Sequence, residues 1–155
     1  MKKMPCELAR RCVETPIGPM TLAADGEALV EARFGRSPFA DGGGVLDQAE
    51  RELQEYFSGR RRAFDVPLRP RGTPFQQRVW QALRGIPYGQ TRAYQDVARA
   101  VDAPRACRAV GGANHKNPLP VFIPCHRVIG RGGALVGYAG GLEAKKRLLE
   151  LEGAL

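Results

Sequence analysis

The chain has 155 residues, 43% of them hydrophobic and 26% charged, so it can bury a core as one domain or two small ones and reads as an ordinary soluble globular protein. The basic start from Met1 to Arg11 is followed by no apolar run of signal-peptide length, and no stretch is long enough to span a bilayer, which sets the secreted and membrane classes aside. The net charge of +8 is uneven: Gly72 to Leu155 carry +7 and the preceding 71 residues carry +1, which fits either a polyanion partner, usually nucleic acid, or a basic solvated surface.

The chain opens as a small sheet. Arg11 to Thr15, Met20 to Ala24 and Ala28 to Phe34 are three short runs at hairpin spacing, joined by Pro16-Ile17-Gly18-Pro19 and by an Asp25-Gly26 turn. After the glycine-rich Asp41-Gly42-Gly43-Gly44, Leu46 through Phe57 repeat apolar residues at helical spacing, and Gly59 ends that helix. Arg60-Arg61-Arg62 could touch phosphates or sit as a solvated helix end. Ala63 to Leu68 and Pro70-Arg71-Gly72 read as a connection between domains.

Beyond Gly72 the pattern turns helical. Thr73 is an N-cap with Pro74 at the first helical position, and Phe75, Val79, Trp80 and Leu83 form an apolar stripe that places Trp80 in the core. Ile86-Pro87-Tyr88-Gly89 is a turn. Helices over about Ala93 to Val101 and Pro104 to Asn114, separated by Asp102-Ala103, have the form of a helix-turn-helix. The second of these carries Ala106, Ala109, Gly111, Gly112 and Ala113, a face with almost no side chain. Such a face suits a narrow groove better than a major-groove reading surface, with Arg105 and Arg108 the exceptions; tight packing against the core is the alternative. A strand Val121-Phe122-Ile123, a short hairpin around Ala134-Leu135-Val136 between glycines, and a last helix Leu142 to Glu152 complete the chain. Glu150 and Glu152 lie where the helix dipole disfavours negative charge, so either a cation compensates them, His126 or an arginine, or the end frays.

Between the strand and the hairpin lies Pro124-Cys125-His126-Arg127. A nearby imidazole can turn a cysteine into a thiolate nucleophile, yet free cysteines are also among the most buried residues, and the pair alone leaves both readings open. Adjacent side chains on a strand point to opposite faces, so these two would need a bend at Pro124, a water or a third residue between them. Cys6, Cys12 and Cys107 lie at no zinc or redox spacing from Cys125 or from His115, which favours free thiols in a reducing cytoplasm and no metal.

Gly72-Thr73-Pro74-Phe75-Gln76, Val79-Trp80, Ile86-Pro87-Tyr88-Gly89, Arg108-Ala109-Val110-Gly111, Asn117-Pro118, Pro124-Cys125-His126-Arg127-Val128 and Gly137-Tyr138 together closely resemble the methylated-DNA--protein-cysteine methyltransferases, the O6-alkylguanine-DNA alkyltransferases. Thr15-Pro16-Ile17-Gly18 and Glu55-Tyr56-Phe57 are similar to the smaller amino-terminal domain of the bacterial members. The resemblance implies an α+β protein: residues 1–71 as a small antiparallel sheet with a helix, ribonuclease H-like, and residues 72–155 as a mostly helical winged helix-turn-helix domain. It implies a suicide repair protein, monomeric and cytoplasmic at the nucleoid, that moves an alkyl group from guanine O6, and from thymine O4, onto its own cysteine without a cofactor. Cys125 would be the acceptor, His126 its base through a water, Glu152 the group that orients His126, and Asn117 a brace. The base would be flipped out of double-stranded DNA bound through the minor groove. Arg108 would fill the gap, with Ala109 and Gly111 on the groove-facing helix. Tyr94 would hydrogen-bond the guanine, and Tyr138 and Lys145 would line the pocket or help the guanine leave.

Two positions depart from the family pattern: Ala93 where a serine is frequent, and Asp102 where a glycine is usual, which predicts a slightly different turn. A noncatalytic lesion binder on the same fold is the competing reading; relatives that only bind replace the cysteine, and this chain keeps Cys125.

Overall fold

The computed structural model describes residues 8–37 and 42–155, in two compact units, Met1–Pro70 and Arg71–Leu155. Cys6, most of the basic start and Asp41 lie outside the described residues.

In the first unit, β1 (Ala9–Val13), β2 (Met20–Ala24) and β3 (Leu29–Phe34) form an antiparallel sheet in the order β1-β2-β3. β1 lies two residues before the expected run because Thr15 belongs to the turn: its hydroxyl donates to Gly18 O at 2.6 Å and its Oγ1 accepts from the Ile17 N–H at 3.2 Å. Central β2 is buried throughout. The helix α1 (Val45–Phe57) sets Leu46, Ala49, Leu53 and Tyr56 into the core, and Gly59, at φ 81°, takes the left-handed exit that glycine tolerates.

The segment after α1, expected as a connection, is instead built into this unit. Leu29 N–H donates to Pro67 O and Arg69 N–H to Leu29 O, both at 2.8 Å, so the segment runs along β3. The buried Glu52 stitches it down, its Oε1 accepting from the Asp65 and Val66 N–H groups at 2.9 and 3.0 Å. Arg61 pairs with Glu55 at 2.8 Å and Asp65 at 3.2 Å.

The second unit starts with α2 (Pro74–Arg84), entered through a complete capping box between Thr73 and Gln76. Trp80 is buried and donates Nε1–H to Ala113 O at 2.8 Å; its ring occupies the space that a side chain at Gly72 would need. The helix-turn-helix is α3 (Tyr94–Ala100) and α4 (Cys107–His115). Asp102 adopts φ 59°, so the left-handed turn expected of glycine is kept with aspartate in it. The residues before Cys107, expected in the helix after Pro104, form a turn instead. The small-faced surface divides: Val110 and Ala113 are in the core, whereas Arg105, Arg108, Ala109 and Gly112 are exposed.

A two-residue strand β4 (Arg92–Ala93) pairs in parallel with β5 (Val128–Ile129). Two expected elements are absent among the described residues. Val121 to Ile123 form a tight turn, with Val121 at φ 75° and Ile123 N–H donating to Leu119 O at 2.8 Å, so no strand precedes the cysteine. No hairpin forms around Leu135, where the glycines support a looped path with Gly130 N–H donating to Ala134 O at 2.7 Å. The last helix, α5 (Leu142–Leu151), is followed by Glu152 as its C-cap. No described helix is long and apolar enough to cross a membrane.

Candidate active site

Pro124, at φ −78° and ψ 64°, makes an inverse γ-turn in which Cys125 N–H donates to Ile123 O at 2.7 Å. The chain then winds one 3-10 turn, Cys125–Arg127, before entering β5. Three residues per turn separate successive side chains by about 120°. Cys125, His126 and Arg127 therefore point in three directions, and thiol and imidazole do not meet by adjacency alone. A turn, not a strand, sets this.

The thiol is 5% exposed, and burial pushes its pKa up from 9.0 to about 11, against smaller opposing effects of a hydrogen bond from Asn117 and the charge of Lys145. It is a protonated thiol at neutral pH. Any nucleophilic role needs a base to remove the proton.

His126 is fully buried, with Nε2 2.8 Å from Glu152 Oε2. Burial drives its pKa below the ordinary 6.5 while Glu152 pulls it up, so the ring is neutral at pH 7. A neutral ring beside a carboxylate donates Nε2–H to it, which leaves the Nδ1 lone pair as an acceptor. Nδ1 has no hydrogen-bond partner among the described residues.

Glu152 is held by more than His126. Arg127 grips it with Nε to Oε1 at 2.8 Å and Nη2 to Oε2 at 2.9 Å, and sends Nη1–H to Ile86 O at 2.7 Å. The Tyr88 ring lies 5.6 Å from the guanidinium carbon. The acid at the wrong helix end is thus compensated by an arginine, with the neutral His126 adding a hydrogen bond, and does not fray. Gly89 makes the approach feasible: at φ 82°, a side chain there would come within 3.1 Å of Glu152 O.

Asn117 Nδ2–H donates to Ile123 O and its Oδ1 accepts from the Leu119 N–H, each at 2.9 Å, which ties down the loop leading to the cysteine. Lys145 is completely buried and donates to Val128 O at 2.7 Å and Val136 O at 2.8 Å. Burial lowers its pKa and the facing Cys125 raises it. Tyr94, the first residue of α3, has its pKa raised by burial and by Cys125 and lowered by a hydrogen bond with Asn114. The ring of Tyr138 stands nearly perpendicular to His126, centroids 6.4 Å apart.

Cys125, His126, Glu152, Asn117, Lys145, Tyr94 and Tyr138 are thus linked through shared contacts. Gly111 lies on the Tyr94 side of α4, where an added side chain would meet the ring at 3.8 Å, while Arg108 and Ala109 stand in solvent. Sequence reasoning named neither Arg127, Tyr88 nor Asn114 as site residues. Arg127 was signalled by the acid looking for a cation; Asn114 carried no signal, since an amide near a helix end reads as surface. Among the described residues no group of His, Cys, Asp and Glu could hold a metal ion.

Residues 74–154 match the family described as 6-O-methylguanine DNA methyltransferase, DNA binding domain, and residues 8–70 match its ribonuclease-like domain. A methylated-DNA--protein-cysteine methyltransferase of Methanosarcina acetivorans is 46% identical over 149 residues, 91% of this chain and 96% of the relative. The constitutive one of Bacillus subtilis is 46% identical over 151 residues, 90% and 92% of the two chains. The crystal structure of Mycobacterium tuberculosis OGT in complex with DNA superposes with a TM-score of 0.87 at 47% identity, covering 94% of this chain and 93% of that one.

Proposed function

The chain belongs to the methylated-DNA--protein-cysteine methyltransferase family, and from that premise we propose that it repairs O6-alkylguanine in double-stranded DNA by moving the alkyl group irreversibly onto Cys125. The observation that carries the assignment of residues is the buried line from Glu152 through His126 to the turn that holds Cys125.

The thiol proton passes to His126 Nδ1 through a bridging water, because the two side chains leave the turn in different directions. Glu152 accepts Nε2–H and stabilises the imidazolium as it forms. Sγ attacks the alkyl carbon in line with O6; the S–C bond forms as the O6–C bond breaks, and the electron pair moves into the guanine ring. Tyr94 donates to that ring as charge develops, and Lys145 and Tyr138 line the pocket. The guanine leaves with a proton equal to the one the thiol lost, so no cofactor is consumed. The thioether has no displaceable proton, and each molecule reacts once.

A buried thiol can reach only a base taken out of the stack, which costs a few kcal/mol. The exposed Ala109 of α4 supports minor-groove docking by allowing close approach, with the half-buried Gly111 keeping the adjoining Tyr94 side of the helix free of side chain and Arg108 filling the vacated space. In this reading residues 72–155 bind DNA and do the chemistry as a monomer in the cytoplasm, at the nucleoid, residues 1–71 support them, and O4-alkylthymine is a second substrate. Incubation with duplex DNA carrying one O6-methylguanine, followed by peptide mass spectrometry, should find one methyl group on the Cys125 peptide; methyl on another peptide, or none, rejects the assignment.

A further inference from the structure

Ile86, Tyr88 and Gly89 lie in one turn, where Gln90 N–H donates to Pro87 O at 3.1 Å, and each touches a different part of the Arg127–Glu152 pair. Ile86 O accepts from Arg127 Nη1 at 2.7 Å, and Gly89 lies against the Glu152 carbonyl. Tyr88 reaches furthest. Its ring lies 5.6 Å from the guanidinium carbon of Arg127, and its hydroxyl donates to Leu151 O at 3.3 Å. Leu151 is the last residue of α5, and its carbonyl belongs to the peptide that leads into Glu152. Carbonyls at a helix C-terminus have no partner within the helix. Those of Leu148, Leu149 and Glu150 accept from the N–H groups of Glu152, Ala154 and Gly153, and that of Leu151 from the tyrosine. One half-buried side chain thus grips both the cation that holds the Glu152 carboxylate and the backbone that carries it. A residue that only filled space would need neither the ring at the cation nor the hydroxyl on that carbonyl.

We propose that Tyr88 is a positioning residue for alkyl transfer, holding Arg127 and the end of α5 so that Glu152 stays paired with arginine and His126 stays free to take the thiol proton. The ring face attracts the guanidinium and keeps water from that side of it. Without the ring, water would compete for the guanidinium, and more of the Glu152 charge would fall on the imidazole. His126 is faced by Glu152 and Arg127, by Lys145 of α5 and by Tyr138, with Cys125 before it in the turn. Tyr88 reaches it through Arg127 and Glu152. The proposal rests on the reading of His126 as the base.

The test compares Tyr88→Leu, which removes the ring, with Tyr88→Phe, which keeps it, in single-turnover transfer from duplex O6-methylguanine and from free O6-benzylguanine across the pH range. Tyr88→Leu should raise the acid midpoint by about half a pH unit, so that transfer slows about threefold more on the acid limb than on the plateau. The slowing should be the same for both substrates, because the residue acts on the base and not on DNA. Tyr88→Phe should keep the wild-type midpoint. NMR of ring-labelled histidine should show His126 titrating higher by the same amount in Tyr88→Leu. A loss equal at every pH, an unmoved His126 titration, or a Tyr88→Phe profile that follows Tyr88→Leu makes Tyr88 a packing residue and overturns the proposal. The titration needs no substrate, so it stands apart from the transfer reading, which a wild type that leaves Cys125 unmethylated would reject. If Tyr88→Leu does not fold, phenylalanines with successive ring fluorines at position 88 keep the shape and weaken the ring face. The midpoint should then rise with each fluorine, and a flat series overturns the role.

Discussion

Glu152 is shared by two basic side chains, and how it is divided sets the chemistry of His126. Arg127 donates two hydrogen bonds to the carboxylate and His126 one. Without Arg127, the whole of the Glu152 charge would act on the imidazole and favour imidazolium, which cannot accept a proton. Burial is the largest cause of the lowered His126 pKa, and the Arg127 charge acts in the same direction. Because the unfolded chain takes up this proton first, the stability held by neutral His126 is present above about 6.5 and lost as the pH falls from there through the lower folded value. Arg127→Gln should raise the His126 pKa and move the acid limb of the transfer rate to higher pH, so that the loss is larger at pH 6 than at pH 8. It should also cost about 3–5 kcal/mol of stability by leaving a buried carboxylate half-paired. Arg127→Lys keeps the charge and should leave the acid limb near its wild-type position. Single-turnover rates between pH 5 and 9 check both, and an unshifted limb in Arg127→Gln would show that Arg127 serves packing alone.

The elements that could be read in the sequence are those whose signals are local. Thr73-Pro74 with Gln76 announces the start of α2, and a period of 3.6 runs through Val79, Trp80 and Leu83. The turn that presents Cys125 could not be read this way. Val121-Phe122-Ile123 has strand composition, and it becomes a turn only because Asn117 ties the loop and holds Val121 at a positive φ, where a β-branched residue seldom sits. The pairing of Ala63 to Leu68 is illegible for a similar reason: its partner, the edge of β3, lies far away in sequence, whereas Pro70-Arg71-Gly72 does fall at the boundary between the two units. Local signals also expose an incomplete cap. At α3 the Asp96 carboxylate accepts from the Ala93 N–H at 2.9 Å, but Ala93 has no oxygen to return the bond. Ala93→Ser should complete the capping box and add about 1 kcal/mol, raising the melting temperature by roughly 2–4 °C in thermal denaturation. In the proposed mechanism the exposed Arg108 of α4 acts only where there is a stack to fill. Arg108→Ala should therefore slow repair of duplex O6-methylguanine much more than reaction with free O6-benzylguanine, and equal losses in the two assays would remove it from base extrusion.

At the scale of the whole molecule, the uneven charge separates encounter with DNA from chemistry. Residues 72–155 carry nearly all of the +8 excess. Two of their cations, Arg127 and Lys145, are buried in the site, where they hold Glu152 and three backbone carbonyls. Others, such as Arg78, Arg84, Arg99, Arg105, Arg108 and Lys116, are exposed and available to phosphates. Binding through such groups releases counterions from the duplex, so affinity falls as a power of salt concentration with an exponent near the number of phosphates contacted. The reacting groups, by contrast, are buried, where screening is weak. Raising salt from 50 to 200 mM should thus lower the second-order rate on duplex O6-methylguanine by about 10-fold or more, corresponding to at least two phosphates at a slope of about −0.9 each. The rate with free O6-benzylguanine should change by less than about twofold, since that substrate carries no phosphate to screen. Both rates are read from the same methylation or benzylation of Cys125, and a parallel fall in the two would mean that salt acts on the site and not on the encounter.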